Sequence, residues 1–369
     1  MKIITVLGTR PEFIRLSLII RKLDAFFGKD HILVDTGQNF EYKLNAIFQE
    51  ELEIRKPDYS LGVKADDKFD RIGQMLKKLG EVFDKENPDF LVVLGDTYTS
   101  FSSCFVARHF RKNNPEGVRV FHLEAGNRSF DKRVPEETNR IIIDNISNYN
   151  LCYTERSKEN LFKEGIKKDI FIIGNPINEV MNFFKNKIEH SAILENLKIQ
   201  PKDYILVTLH REENVTDQNS LQEVIKSLNL LSIKYNKKVI FSTHPKARDM
   251  LNKFSVIAND NIIFSEPFGF LDFHKLMDNA FLVMSDSGTV PEECCIKRIP
   301  NLILRKATER IEILEHAGSV LVGASNQDSI LKGAELMINS KLQWQIPNEY
   351  LVEDCSDRVL SVLISKINI

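Results

Sequence analysis

Short apolar runs alternate with longer amphipathic stretches along most of the chain. The run FLVVL at 90–94 has no polar position, which is typical of a parallel strand buried on both faces. After a first strand-like run at 2–8, apolar residues recur every three or four positions from Phe13 to Leu23, which is the spacing of one helix face. This alternation predicts parallel sheets that are covered by helices.

The pattern is interrupted once and then starts again. Residues 175–200 form a charged, amphipathic connector, and strand-like runs resume with YILVTLH at 204–210. We therefore predict two doubly wound, Rossmann-like α/β domains, the first at 1–175 and the second at 176–354. The final stretch, 355–369, has helical spacing, and we expect it to pack back on the first domain.

The bulk composition narrows the class of protein. At 369 residues the chain is longer than one ordinary core requires, and its 43% apolar and 28% charged content is typical of a soluble globular protein. A net charge of −2 and the lack of a long apolar stretch argue against nucleic-acid and membrane partners. The N-terminal residues do not have the pattern of a signal peptide. The five cysteines show no zinc-site spacing, so we expect reduced thiols, no metal site and a cytoplasmic location.

Acidic side chains follow two successive strands at the point where each strand ends. Asp96 comes after the run at 90–94, and Glu124 comes after the apolar run from Val118 to Phe121. In open α/β sheets the ligand crevice lies outside the carboxyl ends of the strands. One acid in such a place is more often a solvated loop residue or a helix cap, but the recurrence favours a shared role on a ligand.

Arginines accompany these acids. Arg10 opens the first helix directly after a strand and a tight turn, where a helix N-terminus attracts phosphate. Arg15 lies further along this helix, and for it a surface position is an equal alternative. Glu136 and Arg140 follow at the start of a later amphipathic run. The sequence has neither the GxGxxG dinucleotide pattern nor a Walker A lysine motif.

The second half carries polar groups at its strand ends as well. His210 follows one strand, and although such a histidine is more often structural, the neighbouring arginine favours a catalytic role. Ser287 is a good N-cap residue, and Gly288 lets backbone N–H groups approach a diphosphate closely. Glu293, about one turn later, is placed to accept both hydroxyls of a ribose, and Arg310 is a candidate phosphate clamp.

Taken in order, these motifs resemble the non-hydrolysing UDP-N-acetylglucosamine 2-epimerases, a bacterial enzyme family. The resemblance spans essentially the whole chain. The motifs are GTRPE (8–12), LGDT (94–97), HLEAG (122–126), VPEETNR (134–140), GNP (174–176), LHREEN (209–214), SDSG with EE (285–293) and TER (308–310). The resemblance implies a GT-B-like fold, in which two Rossmann-like parallel-sheet domains face each other across a cleft.

The resemblance also implies a reaction and a set of site residues. The reaction interconverts UDP-GlcNAc and UDP-ManNAc by elimination of UDP and its re-addition with inversion at C2, for the synthesis of cell-surface polysaccharide precursors. The implied catalytic residues are Asp96, Glu124, Glu136 and His210, and base and acid are not assigned among the three carboxylates. The residues implied to bind the UDP-sugar are Arg10, Arg15, Arg140, Phe273, Ser287, Gly288, Thr289, Glu293 and Arg310. No cofactor is implied, and the family usually forms homodimers.

The chain departs from the family pattern at several positions. Arg15 stands in place of the usual Lys, Asn127 in place of the Leu of a GLR motif, and Thr289 in place of a Gly. The usual Gln-His-x-Gln segment, which in many bacterial members contributes to a second, activating substrate site, is Gln38 to Glu41 here. The segments EAGNR (124–128) and RVPEE (133–137) resemble those of relatives that epimerise 6-deoxy or 2,3-diacetamido sugar nucleotides. The exact sugar and allosteric activation therefore stay open.

Other functions are also open from the sequence. A 2-epimerase of one of those related UDP-sugars would use the same mechanism. A GT-B glycosyltransferase would share the nucleotide-binding half, whereas a hydrolysing epimerase would release UDP instead of recapturing the intermediate. A regulatory protein without turnover would keep Glu293 and Arg310 and would not need the three acids of the first domain.

Overall fold

The computed structural model describes residues 1–37, 46–65, 67–111, 115, 117–339 and 343–367. The chain divides into two compact units. Unit 1 comprises Met1–Asn182 together with Glu349–Ile369, and unit 2 comprises Phe183–Asn348. The segment Gln38 to Glu41, on which the question of allosteric activation depends, lies outside the described residues.

Unit 1 is built around a parallel sheet. Its strands are β1 (Ile3–Leu7), β2 (His31–Asp35), β3 (Tyr59–Ser60), β4 (Phe90–Leu94), β5 (Arg119–Leu123), β6 (Tyr149–Cys152) and β7 (Ile170–Ile172). Among the described residues they lie in the order β3-β2-β1-β4-β5-β6-β7, and every neighbouring pair is parallel. The chain reverses its direction of winding between β1 and β4, so their carboxyl ends form the topological switch point at which open sheets bind ligands.

The helices of unit 1 alternate with these strands along the sequence, and α7 follows the last of them. They are α1 (Arg10–Phe27), α2 (Ala46–Glu51), α3 (Lys68–Glu86), α4 (Tyr98–His109), α5 (Pro135–Ile146), α6 (Glu155–Lys163) and α7 (Pro176–Phe183), with a short 3-10 helix at Gly28–Asp30. Every residue of β1, β2 and β4 is buried, because helices cover both faces of the sheet. This is why their sequences are almost uninterrupted apolar runs.

Unit 2 repeats the architecture. Its strands are β8 (Tyr204–Leu209), β9 (Lys238–Thr243), β10 (Ile262–Ser265), β11 (Leu282–Ser285), β12 (Asn301–Ile303) and β13 (Val320–Leu321). They lie in the order β10-β9-β8-β11-β12-β13, again with all neighbouring pairs parallel. The switch point of this sheet is between β8 and β11.

The helices of unit 2 include several short ones around the sheet ends. They are α8 (Lys185–Glu189), α9 (Ile193–Asn196), α10 (Glu212–Val215), α11 (Gln218–Lys234), α12 (Pro245–Lys253), α13 (Phe270–Asp278), α14 (Val290–Lys297), α15 (Ile311–Glu315) and α16 (Gln327–Asn339). The prediction of two parallel-sheet α/β domains is confirmed by the two sheets.

The C-terminal helix belongs to unit 1. After a 3-10 helix at Asn348–Leu351, α17 (Cys355–Ser365) packs beside α1. Lys22 on α1 forms an ion pair with Asp357 at 2.6 Å, and the N–H of Ser356 donates to Glu179 at 2.8 Å. The chain therefore returns to its first unit after completing the second. Within the described residues, no helix is both long enough and apolar enough to cross a bilayer.

Candidate active site

Glu12 lies at the switch point of the first sheet, in the first turn of α1, and it is fully buried. Its Oε2 accepts hydrogen bonds from the N–H groups of Gly8 and Thr9 at 2.8 and 2.7 Å and from the Thr9 hydroxyl at 3.0 Å. Its Oε1 accepts from the Thr97 hydroxyl at 2.7 Å. Burial raises the pKa of Glu12 to about 7, although these hydrogen bonds act in the opposite direction. The N–H groups of Gly8 and Thr9, in the turn before the helix, are therefore bound to a carboxyl group of the protein itself.

Arg10 precedes Glu12 at the first position of α1 and is partly buried. It thus stands where the sequence placed it, at the turn that follows the carboxyl end of β1. Its contact with a nucleotide remains a prediction.

Asp96 follows β4 after Gly95 and is held by helix α5. Both Nε, at 3.0 Å, and Nη2 of Arg140 donate to the same oxygen, Oδ2, of Asp96. The side-chain amide of Asn139 donates to the Asp96 carbonyl oxygen at 2.9 Å. Next to Asp96, the Thr97 hydroxyl accepts from the N–H of Ser100 and caps α4. The Asp96 side chain nevertheless keeps about a quarter of its surface exposed.

Arg140 was expected to bind the UDP-sugar, and the structure places it between two carboxylates of the protein. Besides Asp96, it contacts Glu137 through Nη1 at 2.7 Å, and Arg140 itself is only 4% exposed. Glu137 also accepts from the N–H groups of Ser129 and Phe130, both at 3.0 Å. In this arrangement Arg140 orients Asp96, and a direct contact with substrate stays a prediction.

Glu136 lies in the first turn of α5 and is partly buried. Residues three and four positions apart share one face of a helix, so Glu136 lies on the face that carries Asn139 and Arg140. Both of those residues contact Asp96. The helix thus places Glu136 on its Asp96-binding face, whereas the next residue, Glu137, is buried against the loop before the helix.

Glu124 follows β5 with a left-handed backbone conformation, at φ 68°. Its Oε2 accepts from Arg15 Nη1 at 2.8 Å, and its Oε1 accepts from the Asn127 side-chain amide at 3.1 Å. Arg15 is 1% exposed and lies 5.5 Å from the centre of the Tyr153 ring, so the surface alternative for this arginine is wrong. Arg15 and Asn127 therefore bind the same carboxylate. Both stand at positions where the chain departs from the family pattern.

The Glu124 carboxylate lies beside Gly95, at the adjacent strand end that carries Asp96. A Cβ atom built on Gly95, the residue before Asp96, would lie 3.7 Å from Oε2 of Glu124. The side chain of His122 joins the same two loops, because its Nε2 lies 2.9 Å from the carbonyl oxygen of Gly95. The two loops that carry Asp96 and Glu124 are thus in contact, and a shared role for the two acids stays a prediction.

Buried charges underlie the loop that carries Glu124. His122 Nδ1 lies 2.8 Å from Asp144, and the other oxygen of Asp144 lies 2.7 Å from Arg128 Nη1. Arg128 also binds both oxygens of Glu164, at 2.7 and 2.5 Å. Burial lowers the pKa of Arg128, whereas the carboxylates of Glu164 and Asp144 raise it. Together the carboxylates outweigh burial, so the pKa lies above its usual value. Such fully paired buried charges fix the loop conformation, and removal of one member would leave its partners unpaired.

In unit 2, His210 and Asp286 form a pair across the switch point between β8 and β11. Asp286 is fully buried and lies 3.0 Å from His210 Nδ1. It also accepts from the N–H groups of His210 at 3.1 Å and Arg211 at 2.9 Å, and from the side-chain amide of Asn214 at 3.1 Å. Burial would raise the pKa of Asp286, but His210 and these donors hold it below its ordinary value. The carboxylate orients the imidazole, one third of whose surface is exposed.

The loop after β11 contains three of the predicted substrate-binding residues. The Ser287 hydroxyl accepts from the N–H of Thr289 at 3.2 Å, and helix α14 begins only at Val290, with Thr289 as its N-cap residue. The expectation that Ser287 is the N-cap is therefore wrong by two positions. A Cβ on Gly288 would lie 2.9 Å from Oε1 of Glu309, so a side chain would displace the Glu309 carboxylate.

Arg310 and Glu293 lie in a buried cluster of charges behind this loop. Arg310 is 2% exposed, its Nε donates to Glu292, and its Nη1 lies 3.7 Å from Glu309. Glu309 in turn forms an ion pair with Arg305 at 2.9 Å. Glu293 is also buried, one residue after Glu292 in the first turn of α14. The structure brings Arg310 to the helix predicted to bind UDP, and its role as a phosphate clamp stays a prediction.

Phe273 lies on α13 and is partly buried against the apolar core of unit 2, which includes Val290 and Cys294 of α14. Its ring meets that of His274 edge to face. A stacking contact with uracil is a prediction.

Glu12 and Asp286 were not among the site residues predicted from the sequence. A signal was present for each of them. Thr9 and Glu12 form the T-x-x-E pattern of a capping box, and the Glu12 side chain does bind the N-cap backbone. Asp286 directly follows an apolar strand, which is the rule that identified Asp96.

The chain matches a known protein family over most of its length. The model of the UDP-N-acetylglucosamine 2-epimerase family matches residues 21–364. The chain belongs to the UDP-N-acetylglucosamine 2-epimerase family. The resemblance inferred from its motifs is thereby confirmed.

Relatives in this family include enzymes named for different sugars. The UDP-N-acetylglucosamine 2-epimerase of Methanocaldococcus jannaschii is 38% identical over 367 residues, which cover 94% of this chain and 95% of that protein. The UDP-2,3-diacetamido-2,3-dideoxy-D-glucuronate 2-epimerase of Pseudomonas aeruginosa is 32% identical over 346 residues, which cover 93% and 94% of the two chains. A solved structure of the M. jannaschii enzyme in complex with UDP-GlcNAc and UDP superimposes with a TM-score of 0.91, at 36% identity, and covers 99% of this chain and 100% of that one.

Proposed function

We propose that this family member is a UDP-N-acetylglucosamine 2-epimerase, an isomerase that interconverts UDP-GlcNAc and UDP-ManNAc by elimination and re-addition of UDP. The observation that carries the proposal is a pair of carboxylates, Asp96 and Glu124, which follow two adjacent strands and are each held by a different buried arginine. Proton transfer on a sugar needs carboxylates that are both close together and fixed in orientation.

The chemistry explains why several acids are required. The C2 proton is adjacent to no carbonyl group, so it becomes acidic only as the bond between the anomeric carbon and the UDP oxygen breaks. One carboxylate must then remove this proton from one face, and a protonated acid must deliver a proton to the opposite face. Carboxylates that lie close together do not ionise independently, so one member of a cluster can hold a proton near neutral pH. We propose Asp96, Glu124 and Glu136 as this set.

We propose that unit 2 binds the UDP moiety. Departing UDP develops negative charge that hydrogen-bond donors and cations must stabilise. His210 is held by Asp286 with its ring oriented and partly exposed, and α14 presents its N-terminus beside Ser287 and Thr289. Arg10, Arg15, Phe273, Gly288, Glu293 and Arg310 complete the proposed set of substrate-binding residues, together with Arg140.

A 2-epimerase of a related UDP-sugar is the second candidate, with a 6-deoxy or a 2,3-diacetamido sugar in place of GlcNAc. Two observations favour it. The side-chain amide of Asn127 contacts Glu124 directly, at a position where the family pattern has an apolar residue. In addition, the P. aeruginosa relative is named for a 2,3-diacetamido sugar. The mechanism would be unchanged, because the substituents that differ, at C3 or C6, take no part in the loss of UDP or in the transfer of the C2 proton.

A panel of UDP-sugars in D2O, followed by proton NMR, tests both candidates. We expect inversion at C2 and uptake of solvent deuterium at C2 with no acceptor present. A glycosyltransferase would leave UDP-GlcNAc unchanged under these conditions. A hydrolysing epimerase would accumulate free N-acetylmannosamine and UDP. Turnover of a diacetamido or 6-deoxy sugar with no turnover of UDP-GlcNAc would select the second candidate.

We further propose a cytoplasmic location, a homodimer and a role in the supply of precursors for surface polysaccharides. All five cysteines are free and buried, which agrees with a reducing compartment. Light scattering of the purified protein tests the oligomeric state.

A further inference from the structure

Glu12 is a buried ionisable group to which the proposed mechanism gives no role. It is 0% exposed, and its two oxygens face two different parts of the sheet edge. Oε2 binds the turn between β1 and α1, through Gly8 and Thr9. Oε1 binds the first turn of α4, through the hydroxyl of Thr97 at 2.7 Å and more weakly through that of Ser100 at 3.4 Å.

The α4 side of this contact leads directly to Asp96. Thr97 is the residue after Asp96, and its hydroxyl both donates to Glu12 and accepts from the N–H of Ser100. Ser100 in turn donates to the carbonyl oxygen of Leu94, the last residue of β4. These bonds enclose residues 95 and 96 between the end of β4 and the start of α4, so the position of the Asp96 backbone depends on the Thr97 anchor.

We propose that Glu12 is a positioning residue, which holds the Gly95-Asp96-Thr97 turn through the Thr97 hydroxyl and so presents Asp96 for proton transfer. This inference rests on the proposed function, since it assigns Glu12 a role through Asp96. Arg140 fixes the Asp96 side chain from one direction, and Glu12 fixes its backbone from the other. Glu12 does not touch substrate in this role.

The geometry explains why a carboxylate suits this position. All four groups within 3.0 Å of Glu12 can donate hydrogen bonds, and the two oxygens of its carboxyl group reach all of them at once. The β1–α1 turn directly follows β1, a fully buried strand. Glu12 therefore connects the Gly95-Asp96-Thr97 turn to a rigid part of the fold. Displacement of a catalytic group by about 1 Å can cost about a hundredfold in rate.

Thr97→Val removes the hydroxyl that links Glu12 to the Asp96 turn while it keeps the shape of the side chain. We expect kcat to fall about 10- to 100-fold, with KM for the UDP-sugar and the affinity for UDP both within about threefold of wild type. Thr97→Ser restores a hydroxyl and should restore kcat to within about threefold. Ser103→Ala is the control on the same helix, because it removes a buried hydroxyl that donates to the Thr99 carbonyl and does not contact Glu12. It should keep wild-type activity.

A double-mutant cycle shows whether the effect of Thr97 passes through Glu12. Glu12→Asp keeps the charge and shortens the side chain by one methylene, so it should lower kcat by a similar factor. If the two residues act along one path, the double variant should be no slower than the slower single variant. Should Thr97→Val fail to fold, Glu12→Asp alone decides, by the same fall in kcat at constant UDP affinity.

The possible results separate this inference from the proposed function. Equal kcat values for Thr97→Val and Ser103→Ala, or losses that multiply in the double variant, would overturn the role of Glu12 and leave the epimerase proposal intact. A wild-type protein that inverts C2 of no UDP-sugar would overturn both. A fall in UDP affinity that matches the fall in kcat would overturn the positioning role alone. Glu12 would then support the folded structure in general and not the position of Asp96.

Discussion

Glu12 should make the stability of unit 1 depend on pH, and Glu12→Gln should remove that dependence. The pKa of Glu12 is raised from 4.5 to about 7 in the folded protein, chiefly by burial. Below about pH 4.5 the group is protonated in both states. Between pH 4.5 and 7 the folded state binds the proton more tightly than the unfolded state, so folding stability falls as the pH rises through this window. Above pH 7 both states are ionised and the loss is complete.

The size of the effect follows from the two pKa values. They differ by about 2.5, and one pKa unit corresponds to about 1.4 kcal/mol, so ionisation of Glu12 costs the folded state about 3 kcal/mol at pH 8. Glutamine reproduces the protonated form, since its oxygen accepts from Gly8 and Thr9 and its amide can donate to Thr97. We therefore expect Glu12→Gln to match wild type near pH 4.5 and to exceed it by about 3 kcal/mol at pH 8.

Thermal unfolding of both proteins across this pH range measures the difference. For a unit of about 200 residues, 3 kcal/mol corresponds to a difference in Tm of about 6 to 12 °C, which should develop between pH 5 and 8. Glu81→Gln on α3 makes the same change of charge at an exposed position and serves as the control. A difference in Tm between wild type and Glu12→Gln that stays constant with pH would refute the reasoning.

Three further predictions concern the site. Asp96→Asn and Glu124→Gln should each lower turnover by orders of magnitude with little change in UDP affinity measured by calorimetry; wild-type rates in both would remove them from the catalytic set. Asp286→Asn should lower kcat about 10- to 100-fold by releasing the His210 ring, and His210→Gln should then add little in that background; full additivity of the two losses would contradict the pair. Dialysis against EDTA should leave activity unchanged in the NMR assay, because the proposed steps use side chains alone, and loss of activity that added metal restores would contradict the mechanism.

Much of the architecture could be predicted from short segments of the sequence. A parallel strand that is buried on both faces has to be apolar at nearly every position, so runs such as FLVVL identified the strands without any knowledge of their neighbours. The carboxyl ends of parallel strands meet at one edge of a sheet, and this was enough to associate Asp96 with Glu124.

The partners of these residues could not be predicted in the same way. Arg15 was an ambiguous helix residue until the fold placed it against Glu124, which is 109 residues away in the sequence. Glu12 and Thr97 are 85 residues apart, and Asp286 lies 76 residues from His210. Local patterns carry no information on such distances, because the contact exists only after the strands between them have taken their order in the sheet.

The sequence by itself determined the alternation of strands and helices, the family and the acids at the strand ends, since each of these depends on local apolar spacing or on a short motif. Only the tertiary structure decided which charges are paired and buried. The physical reason is that burial is a property of all the elements packed around a side chain, and it sets whether Arg15 meets water or a carboxylate and whether Glu12 holds its proton near neutral pH.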